Sequence, residues 1–333
     1  MKNKKIVLGL ILIILAMAIG GYSLANKQNK TDIKEEAIKV KIGYLPVIHN
    51  LPLFLAASQN YFKDAGLDVE LVKFESPNQI IDALINGSID ICGPSGALGI
   101  TGIADFKNPG KMKIYAVSGE MTDNSSENII VPKDSSLKSI ADLKGKKLGI
   151  LAGTIQWRTI ARELLSQNGL DMDKDLTIVE LALPLQVQAL SSEQIDALLA
   201  LEPISTTAVE KSGAKILVKS PVKQYIADPA WLGAGVINVE FSQNHPQTAQ
   251  KALAVLDRAI DEVNQNPEAS RQYLKNYTSL TDDLIAKVPP VDFKTCNSLN
   301  QQDKDAIKKF FGIFTKYKVI DGEINPDNLL YCK

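Results

Sequence analysis

Apolar residues recur along this chain in two alternating rhythms. Short β-rich runs such as "VKIGY" (40–44) and "KLGIL" (147–151) lead into loops bearing glycine or proline, and longer stretches with helical spacing follow. From Val40 the pieces are "VKIGYLP", "LPLFLAASQNYFKDAGLD", "VELVKF", a helix ending in "AL" and a strand opening with "ID". They spell strand, helix, strand, helix, strand. From Lys146 the order returns as "KKLGILAG", "TIQWRTIARELLSQNGLD", "LTIVEL", a helix ending in "AL" and a strand opening with "ID". The joins "ALINGSID" (83–90) and "ALSSEQID" (189–196) are 106 residues apart, and Gly66 and Gly169, each suited to the left-handed position that stops a helix, are 103 apart. Landmarks in one order at a near-constant offset mark an internal architectural repeat.

Alternating strands and helices of this length predict parallel sheets with right-handed crossovers, so two such units predict a two-lobed α/β protein. Between the units, "SLKSIADLKGKKLG" (136–149) carries a helix-start serine, a short helical turn and a glycine before the next strand. Beyond them, "WLGAGVINVEF" (231–241) returns to strand character. Two helices then begin just after a proline, "HPQTAQKALAVLDRAIDEVNQ" and "NPEASRQYLKNY". In the longer one Ala252, Leu253, Leu256, Ala259, Ile260 and Val263 form one apolar stripe, a packing face. The expected division is 40–128 plus 222–333 for lobe 1 and 129–221 for lobe 2.

A length of 333 residues suits two domains. With 45% hydrophobic residues, 23% charged residues and a net charge of −1, nothing favours a polyanion, and nucleic acid is not an expected partner. The first 25 residues differ in kind: "MKNKK", an unbroken apolar run from Ile6 to Gly21, then the small-residue stretch "SLA". This is an export segment, either cleaved after an A-x-A-like site or, at 20 residues from Ile6 to Ala25, retained as a membrane anchor. No cysteine follows it to accept a lipid, since the first is Cys92. The polar stretch 26–39 reads as a tether, and the body is expected outside the membrane. Of three cysteines, Cys296 and Cys332 can close one disulfide, whereas Cys92 lies in an apolar strand as a small core residue.

Ligands of parallel sheets bind beyond the carboxyl ends of the strands, which selects four loops. In "GYLPVIHNLPLF" Gly43 and Pro46 shape a loop in which Tyr44, His49, Asn50 and Leu51 can face a cleft, or the polar ones can cap the next helix. In "CGPSGALG" the residues Pro94, Ser95 and Gly96 offer a hydroxyl and free amides, or an ordinary serine cap. In "LAGTIQWR" Thr154 can cap a helix whose positive end presents Gly153 and Thr154, with Gln156 and Trp157 in its first turn and Trp157 equally suited to a core. In "LLALEPIS" Glu202 follows a buried strand, to meet a ligand amine or to tie down a hinge.

No paired carboxylates, P-loop, dinucleotide fingerprint or zinc motif stands out, "GPSGA" misses the nucleophile elbow by its last residue, and only His49 and His245 can act as a histidine base. Catalysis, cofactor and metal are not expected. The linked run "KIGYLPVIHNLPLFLAASQNYFKDAGLDVELVKFESPNQIIDALINGSIDI", followed by "SIADLKGKKLGILAGT", "LEP" and "NPEASRQYL", resembles the nitrate/sulfonate/taurine family of substrate-binding proteins of ABC importers. That resemblance implies a type II periplasmic-binding-protein fold, each lobe a mostly parallel sheet flanked by helices, joined by a two-strand hinge. It also implies a small anionic or zwitterionic solute contacted by the loops around Leu45 to Asn50, Pro94 to Gly96 and Gly153 to Gln156 and by Glu202, delivery by a monomer to a permease with a cytoplasmic ATPase, and no cofactor. The rival expectations are an enzyme on the same fold, a hydrolase using Ser95 or a relative of thiamine-pyrimidine synthases, and an anchored sensory ectodomain.

Overall fold

The computed structural model describes residues 38–332. The export segment and most of the tether, with the question of cleavage, lie outside the described residues, and no helix among those described is long and apolar enough to cross a membrane.

The first sheet holds β1 (Lys39–Tyr44), β2 (Asp68–Lys73), β3 (Ile91–Ala97), β4 (Met112–Glu120), β10 (Ala230–Asn238) and β11 (Asp292–Thr295) in the order β11-β4-β10-β3-β1-β2. The second holds β5 (Glu127–Val131), β6 (Lys147–Leu151), β7 (Thr177–Leu181), β8 (Ala197–Leu201) and β9 (Lys215–Lys219) in the order β7-β6-β8-β5-β9. Each sheet has a parallel trio, β2-β1-β3 or β7-β6-β8, followed by one reversed strand, β10 or β5. The two sheets therefore repeat one plan. The chain crosses between them twice, from β4 to β5 and from β9 to β10.

The sequence echo has a local cause. Asp90 Oδ2 accepts from the Lys41 amide at 2.8 Å while the Asp90 amide donates to Lys41 O at 2.9 Å; Asp196 and Lys147 repeat both bonds at the same distances. Each aspartate closes the start of the central parallel pair. Upstream, Ala83 O accepts from the amides of Ser88 and Ile89, and Ala189 O from those of Gln194 and Ile195, so the alanine of each "AL" turns the helix end into the strand. The shared letters are scaffold.

Helices cover the sheets: α1 (Leu51–Ser58), α2 (Pro77–Ile85) and α3 (Leu98–Lys107) on the first, α4 (Ile155–Gln167), α5 (Leu183–Ser191) and α6 (Ile204–Ser212) on the second, then α7 (Pro246–Gln265) and α8 (Gln301–Lys316). The apolar stripe of α7 is buried throughout and joins Phe54 of α1 and Val40 of β1 in one core. Two expected helices are broken. The first stops at Ser58 because Asn60 takes φ 59°, and "NPEASRQYLKNY" yields only Pro267–Ser270 and a tight turn over Arg271–Leu274.

A third expectation changes more. "CGPSG" is not a loop: β3 runs on to Ala97, and its pairing with β10 skips from Cys92 opposite Val236 to Gly96 opposite Ala234. Pro94 cannot donate to a ladder, and the irregularity takes it out of the pairing.

Cys296 and Cys332 are disulfide-bonded, with Cα atoms 5.2 Å apart, and Cys92 is buried and free, its thiol pushed up by burial. The bond clamps a tail whose Tyr331 amide donates to Ile114 O on β4 at 2.8 Å. Reduction is expected to cost about 2–4 kcal/mol by lengthening the free chain of the unfolded state. Urea melts with and without dithiothreitol measure it; coincident midpoints would refute a stabilising clamp.

Candidate functional site

The carboxyl ends of β1 and β2 in one sheet and of β7 and β8 in the other face one cavity of about 420 Å³. The loop after β1 supplies Tyr44, Pro46 and Val47, the end of β2 supplies Lys73 and Glu75, and the second sheet supplies Leu183, Pro184, Pro203 and Ile204. Residues 276–279 close the remaining side. This is the place that the strand-end rule selects for a ligand.

Several of the residues singled out in the sequence do not line this cavity but are bonded into local networks. Asn50 Nδ2 donates to Leu45 O at 2.7 Å and to Ser95 Oγ at 2.5 Å, and Ser95 Oγ also accepts from the Leu45 amide at 3.3 Å. Leu45, Asn50 and Ser95 therefore form one buried knot that ties the β1 loop to β3; Asn50 Oδ1 has no partner within it. His49 Nδ1 lies 2.8 Å from Ser118 Oγ, whose hydroxyl donates to Pro94 O at 2.6 Å. Since that proton is used, Nδ1 must carry the hydrogen, and burial pushes His49 down to about 4. The imidazole is neutral at physiological pH and offers an anion no charge. Gly96 is small because a Cβ there would stand 2.7 Å from Ala234 O.

On the other side of the cleft, Gly153 takes φ +66°, its amide donating to Glu180 Oε2 at 3.2 Å and its carbonyl accepting from Asn78 on α2. Thr154 caps α4 through the Trp157 amide at 3.2 Å, and Trp157 is a buried core residue. Gln156, 1% exposed, reaches across: its Oε1 accepts from the Gly99 amide at 2.7 Å and its Nε2 donates to Leu232 O at 3.4 Å. Its side-chain amide is a strap between the two sheets.

Glu202 lies elsewhere. It lines a second cavity of about 280 Å³ beside Ser125, Asn128 and Ser205, and its Oε2 accepts from the Thr206 amide at the start of α6 at 3.0 Å. Burial pushes its carboxyl up to about 7, against the pull of the Thr206 amide and of the Thr206 and Ser205 hydroxyls. Of the twelve residues chosen from the sequence only Pro46 lines the larger cavity. Tyr44, from the same loop, lines it too, as do Lys73 and Tyr277, which lie outside the four loops that the sequence selects. Lys73 was within reach of the strand-end rule, but Tyr277 follows no strand and carried no signal.

With the fold and cleft in place, likeness to known proteins decides the family. Residues 48–270 match the family described as NMT1/THI5 like. The chain belongs to that family. A "Putative binding protein" of Brucella abortus (strain 2308) is 28% identical over 236 residues, covering 70% of this chain and 69% of the relative. A "Putative aliphatic sulfonates-binding protein" of Bacillus subtilis is 25% identical over 314 residues, covering 92% and 87%. Enzymes occur among the relatives of this NMT1/THI5-like chain too: the yeast 4-amino-5-hydroxymethyl-2-methylpyrimidine phosphate synthase THI11 is 25% identical over 265 residues, covering 76% and 74%. The fold is that of periplasmic binding proteins. The aliphatic sulphonate binding protein SsuA of Escherichia coli superposes with a TM-score of 0.70 at 20% identity, over 88% of this chain and 92% of SsuA. The nitrate-binding protein NrtA of Synechocystis does so with 0.68 at 15% identity, over 88% and 84%.

Proposed function

We propose that the protein is the extracytoplasmic solute-binding component of an ABC importer, taking a small anionic or zwitterionic solute between its lobes and delivering it to a permease with a cytoplasmic ATPase. The observation that carries this is the cavity of about 420 Å³ enclosed by the strand ends of two separate sheets. A ligand there touches both sheets, so it binds the closed arrangement better than an open one and shifts the population accordingly. Lobe 1 is 40–128 plus 222–333 and lobe 2 is 129–221, and the crossings at 121–126 and 220–229 act as the hinge. Pro46 meets solute directly. Leu45, Asn50, Ser95, Pro94, Gly96 and His49 hold the lobe 1 floor in shape, Gly153, Thr154 and Gln156 hold the facing edge, and Trp157 and Glu202 serve the core and the hinge.

The chemistry favours a carrier over an enzyme. The Ser95 hydroxyl is bonded to Asn50 and the Leu45 amide, and His49 is bonded to Ser118, so the serine has no base. Native mass spectrometry of protein isolated from its own medium is expected to show a bound small molecule that leaves unchanged on unfolding. Turnover of that molecule on incubation with the protein would overturn the reading in favour of the synthase-like one.

The Gln156 strap gives a second measurement. Gln156→Ala strands the Gly99 amide and the Leu232 carbonyl, which costs roughly 1–3 kcal/mol of the closed form and favours opening. Small-angle scattering of the ligand-free variant should give a larger radius of gyration than wild type, and added solute should reverse it. An unchanged radius would argue against closure through this contact.

A further inference from the structure

The larger cavity is uneven in its chemistry. Tyr277 stacks on Phe54 with ring centroids 4.4 Å apart and 1° between planes, and Tyr44 meets Phe54 and Tyr277 edge-on at 5.4 and 6.2 Å. Phe54 is fully buried and covers one face of Tyr277, while Tyr44 and Tyr277 line the cavity. The wall is a packed aromatic platform. Among the lining residues Lys73 alone is cationic, and its Nζ is 3.2 Å from Glu75 Oε1 with both side chains about half exposed. Such a pair is held weakly and exchanges readily for a ligand acid. Tyr44 and Lys73 are register partners at the ends of β1 and β2, so both side chains leave the same face of the sheet into the cavity, and burial raises the Tyr44 phenol while the Lys73 ammonium pulls it down.

Size and backbone argue against a compact oxyanion as the natural occupant. A water takes about 30 Å³ of liquid volume, so an inorganic anion would leave most of the space wet, whereas sites for organic ligands run from about 300 to 1,000 Å³. Pro46, Pro184 and Pro203 line the wall and have no N–H to donate.

We propose that the solute is a flat aromatic ring bearing one acidic group, carboxylate or sulfonate, with the ring laid on Tyr277 and met edge-on by Tyr44, and the acid held by Lys73 and the Tyr44 hydroxyl. The proposal rests on the carrier reading above and narrows its substrate class. Ring–ring contact adds to affinity beyond the area it buries, on the order of tenfold.

Isothermal titration of the full chain in neutral detergent at pH 7 tests it with benzoate, benzenesulfonate, cyclohexanecarboxylate, ethanesulfonate and nitrate. The two aromatic acids are expected to bind about tenfold more tightly than cyclohexanecarboxylate and ethanesulfonate, with nitrate weakest. Tyr277→Leu keeps apolar bulk and should remove the preference for benzoate over cyclohexanecarboxylate; Tyr277→Phe, which keeps the stack on Phe54, should retain it. Lys73→Met should weaken benzoate at least tenfold. Equal binding of the cyclic pair, a preference that survives Tyr277→Leu, or tightest binding of nitrate overturns the proposal and leaves the carrier reading standing. Absence of binding by every panel member also overturns it, and the co-purified ligand then decides the carrier reading on its own.

Discussion

Replacing Asp303 with alanine is expected to destabilise the protein by about 3–5 kcal/mol, because it strands a nearly buried charge. Asp303 is 2% exposed at the third position of α8 and serves three partners. Its Oδ2 takes the Lys294 ammonium at 2.6 Å and the Asn300 amide at 2.9 Å, and its Oδ1 takes the Trp231 indole N–H at 3.2 Å. Lys294 is itself only 16% exposed, so water cannot fully replace the lost carboxylate. Trp231 opens the strand by which the chain returns to the first sheet, so the loss falls on the second crossing. Asp303→Asn removes the charge and keeps one acceptor oxygen, enough for the cap or the indole but not both, and should fall between wild type and alanine. Urea unfolding measures all three; an alanine variant within about 1 kcal/mol of wild type would mean that Lys294 finds solvent.

The parts of the fold that the sequence made legible are those set by short-range chemistry. "AL…ID" could be read as a repeated helix-to-strand join because Ala83, Asp90 and their counterparts make the same backbone bonds in both lobes. Thr154 could be read as a cap for the same reason. Residues 93–96 were misread as a loop, because glycine and proline mark loops and strand irregularities alike, and only the partner strand distinguishes them.

The site was legible as a place more than as a set of contacts. Polar side chains at strand ends were expected to face solute, but buried polar groups need partners, and Asn50, Ser95, His49 and Gln156 find theirs within the protein. Glu202 was found by the right rule and then claimed by the start of α6. Tyr277 was not legible: it reaches the cleft by stacking on Phe54, 223 positions earlier in the chain (277 − 54), and no local pattern encodes that pairing.

Glu202→Gln is expected to stabilise the protein relative to wild type progressively as pH rises from 4.5 to 7. The folded state holds the Glu202 proton up to about 7, whereas the unfolded chain releases it near 4.5. A raised carboxyl pKa gives stability that is complete below 4.5 and lost as pH climbs through the folded value, here about 3 kcal/mol at 1.36 kcal/mol per unit. His49 works in the opposite direction, its folded value near 4 making the protein gain stability as pH rises toward 6.5. The two oppose each other between 4.5 and 6.5, so the difference from the variant is the informative quantity. Glu202 does not act alone. Glu127, fully buried at the first crossing, is raised well above its ordinary value by burial, then by the charge of Glu120 and a hydrogen bond with it. Glu120 Oε1 accepts from the amides of Ser126 and Glu127, and Glu127 Oε1 from that of Val222 at 3.2 Å, so the carboxyl pair ties one crossing to the other. Glu120 Oε2 has no hydrogen-bond partner. Glu127→Gln should therefore also gain on wild type with rising pH. Urea midpoints at pH 4.5, 6 and 8 for wild type and both variants read this directly; a Glu202→Gln difference that stays constant across the series would show that Glu202 ionises freely in the folded protein.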